Sequence, residues 1–225
     1  MKFTYYGHSC FNVDVKGKKL LFDPFISPND LAASVDINKI EADYILLSHG
    51  HADHIADCVS IAKRTNALVI CNWEIYLWLQ KQGVENIHPM NTGGRNTFEF
   101  GTVKCVTAQH SSSLPDGTYG GNPMGFVIMA ETNFYYSGDT ALTMDMQLIP
   151  QGSPVSFSIM PIGDNFTMGY EDAVRATHMI GSHTVVGVHY NTFPYIVIDT
   201  EKAKQHFQQN GLELKLPGIG ETIEL

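Results

Sequence analysis

The sequence has 225 residues, of which 44% are hydrophobic and 16% are charged, and its net charge is −9. This length and composition favour one large globular domain over residues 1–225, and no apolar run reaches the roughly 18 residues that a membrane span requires. The acidic balance disfavours nucleic acid as a partner, because binding to phosphates depends on lysine and arginine.

The four cysteines are widely spaced, and no two of them form the Cys-x-x-Cys pair typical of a zinc finger. We therefore expect them to be reduced and buried. The first eight residues lack the apolar segment of a secretory signal, so we expect a cytoplasmic location.

The first part of the chain predicts an antiparallel start followed by a βαβ-like unit. A loop rich in proline and aspartate at 23–30 separates the two. The predicted elements are strands at 2–6, 11–15, 19–22, 43–47 and 67–71, with one helix from about His54 to Arg64.

The remainder repeats a simple theme, in which a strand ends in a turn that carries histidine or aspartate. A long segment rich in glycine and proline, 114–125, is typical of a substrate loop. The theme predicts two β-rich layers flanked by helices. The predicted elements are helices at 74–82, 171–180 and 200–209, a turn-rich link at 88–96, and strands at 97–100, 103–108, 125–130, 133–136, 156–162 and 184–188.

The segment His49-Gly50-His51-Ala52-Asp53-His54 places four potential metal ligands directly after an apolar strand. Adjacent helical residues point about 100° apart, so Asp53 and His54 cannot both face one ion from a regular helix. They can face two neighbouring ions, while His49 and His51 project from the same side of an extended segment. The alternative, a solvated turn with a capping aspartate, explains this density of ligands poorly.

Three further ligand-type residues stand at predicted strand ends: His110, Asp139 and His189. Each alone would be read as a surface or core residue. Their shared position at strand ends favours a common site, since α/β proteins place their sites at the carboxyl ends of strands. Imidazole and carboxylate groups suit zinc, manganese or iron.

These motifs, in this order, resemble the signature of the metallo-β-lactamase-fold hydrolases over most of the chain. The resemblance implies an α/β fold, a four-layer αββα sandwich of two mixed sheets flanked by helices. It also implies two divalent metal ions at one edge, with zinc favoured and manganese, iron or nickel as alternatives. The implied ligands are His49, His51 and His110 for the first ion, Asp53, His54 and His189 for the second, and Asp139 as the bridge.

Three other segments resemble a small prokaryotic group of metal-dependent hydrolases that is similar to the ascorbate-phosphate lactonases. They are residues 7–11, 161–169 and 189–194. Departures from other branches narrow the choice further. The best-known metallo-β-lactamases have cysteine where Asp139 stands, which disfavours antibiotic hydrolysis. Glyoxalase II enzymes carry a C-terminal glutathione-binding domain, whereas only 36 residues follow His189 here. Flavodiiron proteins replace the second histidine of the motif with an acid, which disfavours redox chemistry.

The expected mechanism is hydrolysis by a metal-bridged hydroxide, because a bound cation lowers the pKa of water to roughly 7. Asp53 and Asp139 are the expected catalytic residues, with Asp53 orienting the hydroxide. Four residues have weaker claims to contact the substrate or to hold a ligand in place: His8, Ser111, Asp164 and Asn191. For His8 and Asn191, a purely structural role in a hairpin or turn is an equal alternative, and for Asp164 the alternative is helix capping.

The leading functional hypothesis is an enzyme, a binuclear hydrolase of a small-molecule ester or lactone, including phosphorylated ones. A phosphodiesterase or nuclease is the alternative within enzymes. A metal-binding scaffold or sensor without turnover is the alternative from another class. Self-association into a homo-oligomer is left open.

Overall fold

Two seven-stranded β-sheets face each other in the computed structural model, which describes residues 1–152 and 154–225. The first sheet has the strand order β14-β1-β2-β3-β4-β5-β6 and the second has the order β13-β12-β11-β10-β9-β8-β7. The first sheet contains β1 (Lys2–Gly7), β2 (Cys10–Val15), β3 (Lys18–Phe22), β4 (Tyr44–Leu46), β5 (Leu68–Cys71), β6 (Ile87–Pro89) and β14 (Thr222–Glu224). The second contains β7 (Arg95–Phe98), β8 (Gly101–Thr107), β9 (Met124–Met129), β10 (Phe134–Tyr136), β11 (Phe157–Pro161), β12 (Thr184–Val188) and β13 (Glu213–Lys215).

Both sheets are mixed and follow the same plan. Strands β14 to β3 pair antiparallel and β3 to β6 pair parallel. In the second sheet, β7 to β10 pair antiparallel and β10 to β13 pair parallel. Each sheet therefore has an antiparallel half and a parallel half.

The central core lies between the sheets and is rich in aromatic side chains. Successive residues of a strand face opposite sides of its sheet, so alternate residues such as Phe11 and Val13 enter this core. Rings of the two sheets meet directly, with Phe11 and Phe22 5.0 and 5.5 Å from the ring of Tyr136. This packing fixes the two sheets face to face, and with them the strand ends that carry the predicted ligands.

Helices cover the outer face of each sheet, which confirms the predicted four-layer αββα fold. A second apolar cluster lies under α1 (Ala52–Ile55), α2 (Cys58–Thr65) and α3 (Trp73–Lys81). A third lies under α4 (Ile149–Gly152), α5 (Tyr170–Ile180) and α6 (Thr200–Gln209). None of the helices in the described part of the chain is long and apolar enough to cross a bilayer.

The prediction of one helix from about His54 to Arg64 was wrong, because the chain breaks between α1 and α2. Asp57 is the cause. Its carboxylate accepts hydrogen bonds from the backbone N–H groups of Ile26 and Ser27, and its own N–H donates to Pro24 O. These contacts tie the break to the loop at 23–30 and fix the orientation of α1, which carries Asp53 and His54.

The short strands β6, β13 and β14 were not predicted. Each has three residues and runs along the side of a sheet, where neighbouring strands rather than local residue preferences decide the pairing. The link predicted at 88–96 likewise contains the end of β6 and the start of β7.

Candidate metal centre

The predicted ligands meet at one edge of the sandwich, between the two sheets. His49 and His51 follow β4, and Asp53 and His54 lie in the short helix α1 that comes next. His110, Asp139 and His189 follow β8, β10 and β12 of the second sheet. Each strand therefore delivers its polar side chain just beyond its carboxyl end, as expected for an α/β site.

The first cluster consists of His49, His51 and His110, whose ligand nitrogens all lie within 4.8 Å of one another. His49 Nε2 and His51 Nδ1 are 2.9 Å apart, and the ring of His110 is 5.1 and 5.0 Å from the rings of His49 and His51. His49 is buried, whereas His51 and His110 are partly exposed. This cluster is therefore accessible from solvent on one side.

The second cluster contains Asp53, His54 and His189, together with His8 from the turn after β1. Asp53 Oδ2 and His54 Nε2 are 3.7 Å apart, so the expectation that these adjacent residues face two different ions was wrong. That expectation assumed a regular helix, whereas α1 is a single turn of four residues. His8 Nε2 lies 3.0 Å from Asp53 Oδ2, and the rings of His8 and His189 are 4.1 Å apart. On the other side of its ring, His8 Nδ1 is hydrogen-bonded to Thr192 Oγ1 at 3.0 Å. His8 thus belongs to the cluster, and Thr192 orients it.

Asp139 lies between the two clusters. Its Oδ2 is 3.0 Å from His189 Nε2, 3.3 Å from His54 Nε2 and 3.6 Å from His110 Nε2. It therefore contacts histidines of both clusters, as a bridging carboxylate would.

Of the four residues expected to contact the substrate or to hold a ligand in place, two lie beside the clusters and two lie in exposed turns. His8 lies in the cluster, and Ser111 Oγ is 3.3 Å from His51 Nε2 at an exposed position. Asp164 and Asn191 are exposed and serve their own turns. Asp164 Oδ1 accepts from the N–H of Asn165, and Asn191 Oδ1 accepts from the N–H of Ile198.

Asp23 is a central residue that the sequence reasoning missed. It is fully buried, and its carboxylate accepts hydrogen bonds from the N–H and hydroxyl of Ser48, from His54 Nδ1 and from the hydroxyl of Tyr136. Asp23 directly follows β3, so it shows the same strand-end signal as Asp139. The neighbouring prolines and aspartates instead indicated an ordinary loop.

Asp23 also determines which nitrogens face the clusters. The Ser48 hydroxyl donates to Asp23, so its oxygen is left to accept from His49 Nδ1 at 2.9 Å, while His54 Nδ1 donates to Asp23 at 2.8 Å. The Nε2 atoms of His49 and His54 are then left unprotonated when the rings are neutral. Fixing the ring tautomer through the far nitrogen is how proteins prepare histidine for a metal ion.

The backbone at Gly138 must approach the strand that carries the histidine motif. Its φ is +61°, and a Cβ atom there would lie 2.8 Å from Ser48 Cβ and 2.9 Å from Met124 O. Only glycine fits, and this close approach places the next residue, Asp139, in the site.

We expect Gly138→Ala to lower the free energy of unfolding by about 2–4 kcal/mol, combining left-handed backbone strain with overpacking. Gly181→Ala is the matched control, because Gly181 has φ +74° but a Cβ there meets open space. The control should cost only about 1–2 kcal/mol. Urea denaturation of both variants measures the difference, and equal losses would contradict the packing argument.

The electrostatics of the site couple two carboxylates to several imidazoles. Burial acts to raise the pKa of Asp139, but His189 and His54 hold that pKa well below its ordinary value. Burial acts to lower the pKa of His189, but Asp139 raises it to about 9. His49, by contrast, has a pKa well below the ordinary value because of burial and the nearby His54. The carboxylates are thus ionised and attract positive charge to the centre of the site.

The donor set fits divalent metal ions. His54 Nε2 and Asp139 Oδ1 are buried and have no hydrogen-bond partner among residues 1–152 and 154–225. Buried polar atoms without partners are costly unless something binds them. Imidazole nitrogens and carboxylate oxygens are the ligands that zinc and similar ions prefer.

Comparisons with known proteins agree with this geometry. A family model described as a beta-lactamase superfamily domain matches residues 18–190. A metal-dependent hydrolase designated UPF0173 from Flavobacterium johnsoniae is 52% identical over 226 residues, and the match covers 100% of both chains. Another protein with this description, from Methylacidiphilum infernorum, is 48% identical over 226 residues, also with 100% of both chains covered.

Solved structures show the same architecture. Igni18, a metallo hydrolase from the archaeon Ignicoccus hospitalis, has a TM-score of 0.89 and 33% sequence identity, with 99% of this chain and 97% of that chain covered. An isothiocyanate hydrolase from Delia radicum gut bacteria has a TM-score of 0.82, with 100% of this chain and 99% of that chain covered. At 22% identity this second likeness supports the fold alone.

The αββα sandwich, the histidine and aspartate clusters at its edge and the full-length matches lead to one conclusion. The chain belongs to the metallo-β-lactamase fold superfamily and, within it, to the family of UPF0173 metal-dependent hydrolases.

Proposed function

We propose that the protein is a binuclear enzyme that hydrolyses small-molecule esters or lactones, phosphorylated lactones among them. The position of Asp139 carries this proposal, because one carboxylate oxygen lies within 3.6 Å of histidines from both clusters. A single shared acid between two sets of nitrogen ligands is an arrangement suited to a pair of cations. The free Nε2 of His54 beside it supports the same interpretation.

The residues that would hold the ions are His49, His51 and His110 on one side, Asp53, His54 and His189 on the other, and Asp139 between them. Ions held there would supply Lewis acidity, lowering the pKa of water and polarising a carbonyl or phosphoryl oxygen. Zinc is the favoured ion for this donor set, with manganese, iron and nickel as alternatives.

Asp53 is the residue that we assign to the reacting water. Its side chain is 26% exposed, in contrast to the 2% exposure of Asp139, so it can reach both the cluster and an entering substrate. His8 holds Asp53 Oδ2 from the protein side, which fixes the direction of the carboxylate. Asp53 would orient the water and accept its proton, while Asp139 keeps the histidines of the two clusters in place.

The exposed edge near His51 is where the substrate would enter. Ser111 is exposed beside His51, and its hydroxyl can donate to a carbonyl or phosphoryl oxygen. The four cysteines are free and buried, in accord with a reducing compartment, and we keep the cytoplasm as the predicted location.

The proposal is tested with zinc-loaded protein and three substrates: p-nitrophenyl acetate, δ-valerolactone and bis-p-nitrophenyl phosphate. We expect kcat/KM to be higher for the ester or the lactone than for the phosphodiester. Faster cleavage of the phosphodiester would favour the phosphodiesterase alternative. Turnover of none of the three by protein with bound zinc would favour a scaffold or sensor.

We expect His8→Ala to lower kcat by about 10- to 100-fold, the usual cost of losing a residue that orients a metal ligand. The matched control is Thr192→Val, which keeps His8 and removes the hydrogen bond to the far side of its ring, together with the weaker one that the Thr192 hydroxyl donates to Tyr190 O. It should lower kcat by less than about tenfold. An unchanged kcat in His8→Ala would show that His8 only closes the first hairpin.

A further inference from the structure

We infer that a groove on the outer face of the second sheet binds a linear apolar chain of the substrate. The inference rests on the proposed function for the scissile ester or lactone group, and it adds the class of substrate. The groove consists of two adjoining cavities, a near cavity that begins at His110 and a far cavity beyond it.

The near cavity connects the groove to the candidate metal centre. It has a volume of about 710 Å³, and its lining includes His110, Gln109, Pro123 and Leu142. A ligand whose reacting group lies at the clusters can therefore extend past His110 into this space without crossing the protein interior.

The far cavity continues in the same direction. It has a volume of about 460 Å³ and shares Thr92, Thr107 and Asp145 with the near cavity. Both volumes fall within the range of roughly 300–1,000 Å³ that small-molecule sites occupy. Along β8, the step from Thr107 to Lys104 adds about 10 Å to the groove, at roughly 3.3 Å per residue.

The far cavity is apolar because of the alternation along β8 and β9. Val103 and Cys105 face the central core, so Lys104 and Val106 face outward, and Lys104 pairs with Val127 across the two strands. The segment at 144–152 closes the other side. The apolar lining is formed by Val106, Val127, Met129, Met146, Leu148 and Ile149.

The rim of the groove carries exposed apolar side chains. Met144, which lines the near cavity, is 65% exposed, and Leu148, which lines the far cavity, is 62% exposed. Large apolar side chains clustered at a concave surface are typical of a binding site. The charged residues of the far-cavity lining are Arg95, Lys104 and Asp145, and the Lys104 ammonium donates to Gly93 O. An uncharged chain of several methylene groups fits against the six apolar side chains of the lining.

The kinetic test compares two pairs of esters with matched leaving groups. p-Nitrophenyl octanoate, whose long chain is on the acyl side, is compared with p-nitrophenyl acetate. Octyl acetate, whose long chain is on the alcohol side, is compared with ethyl acetate. We expect kcat/KM to rise by at least about tenfold for one of the long-chain esters, since burial of even two or three methylene groups accounts for that factor. The ester that gains identifies the side from which the chain enters the groove.

Two variants test whether the long chain of the substrate binds in the groove. Val106→Trp places a large ring in the far cavity and narrows it, and Leu148→Asp places a charge on its exposed rim, where the substitution puts little strain on the fold. Each should reduce the ratio of kcat/KM for the long-chain ester to kcat/KM for its short-chain partner to about one. Thr97→Trp is the matched control, because Thr97 is exposed on the same face of the sheet, one strand away on β7, and lies outside the lining of both cavities. It should keep the wild-type ratio.

Binding is tested separately from turnover with 1-octanol as a neutral probe. In protein labelled with [¹³C]methyl methionine, 1-octanol should shift the methyl signals of Met129 and Met146 and leave that of the core residue Met90 in place. In Val106→Trp, 1-octanol should shift none of these signals. These shifts without turnover of any ester would support the groove and overturn the proposed function. Ester turnover with no chain-length preference and no change in the methionine methyl signals would overturn the inference about the groove and leave the proposed function in place.

Discussion

Asp139→Asn is expected to reduce kcat/KM for ester hydrolysis by about a thousandfold or more and to leave the purified protein with less than its full metal content. Loss of a residue that merely orients a ligand costs roughly 10- to 100-fold, and Asp139 contacts histidines of both clusters directly. The amide keeps the shape of the carboxylate, so the loss reports the missing charge. Metal content by mass spectrometry and steady-state kinetics are the two measurements.

Asp164→Asn is the matched control. Asp164 also follows a strand of the second sheet, β11, but its side chain is exposed and accepts a hydrogen bond within its own turn. Asparagine tolerates the left-handed backbone at this position, where φ is 60°. Metal content and kcat/KM should change little. Comparable losses in the two variants would contradict the assignment of Asp139 as the bridge.

Asp23→Asn is expected to have the second largest effect, on both stability and metal affinity. The substitution removes a buried carboxylate whose oxygens accept hydrogen bonds from Ser48, His54 and Tyr136. Loss of a buried charged partner costs about 3–5 kcal/mol in the free energy of unfolding. Because His54 would also lose the group that fixes its ring, zinc affinity should fall by about 10- to 100-fold.

Tyr136→Phe is the control for Asp23, because it removes one hydrogen bond to the same carboxylate and keeps the ring packing. It should cost about 1 kcal/mol and leave zinc affinity nearly unchanged. Urea denaturation and chelator competition measure the two quantities. If Asp23→Asn bound zinc as tightly as the unmodified protein, Asp23 would have no part in preparing the site.

The sequence predicted the assembly of the ligands because strand ends are a strong positional signal. Apolar strands place their carboxyl ends along one edge, and His110, Asp139 and His189 all follow such strands. The signal gives position but not direction. Asp164 and Asp139 share it, yet one side chain faces solvent and the other is buried in the cluster.

What could not be predicted depends on contacts between segments distant in the chain. Asp23 gains its role from Ser48 and Tyr136, which lie 25 and 113 residues away. The break between α1 and α2 depends on Asp57 reaching the loop at 23–30. The groove beyond His110 forms only when the segment at 144–152 packs over β8 and β9.

Metal titration of chelator-stripped protein tests the central claim most directly. We expect no hydrolysis of p-nitrophenyl acetate by the stripped protein, and activity that rises with added zinc and saturates near two equivalents per chain. The bound zinc should be lost in parallel with activity in Asp139→Asn. Full hydrolytic activity in protein that mass spectrometry shows to be free of metal would contradict the account.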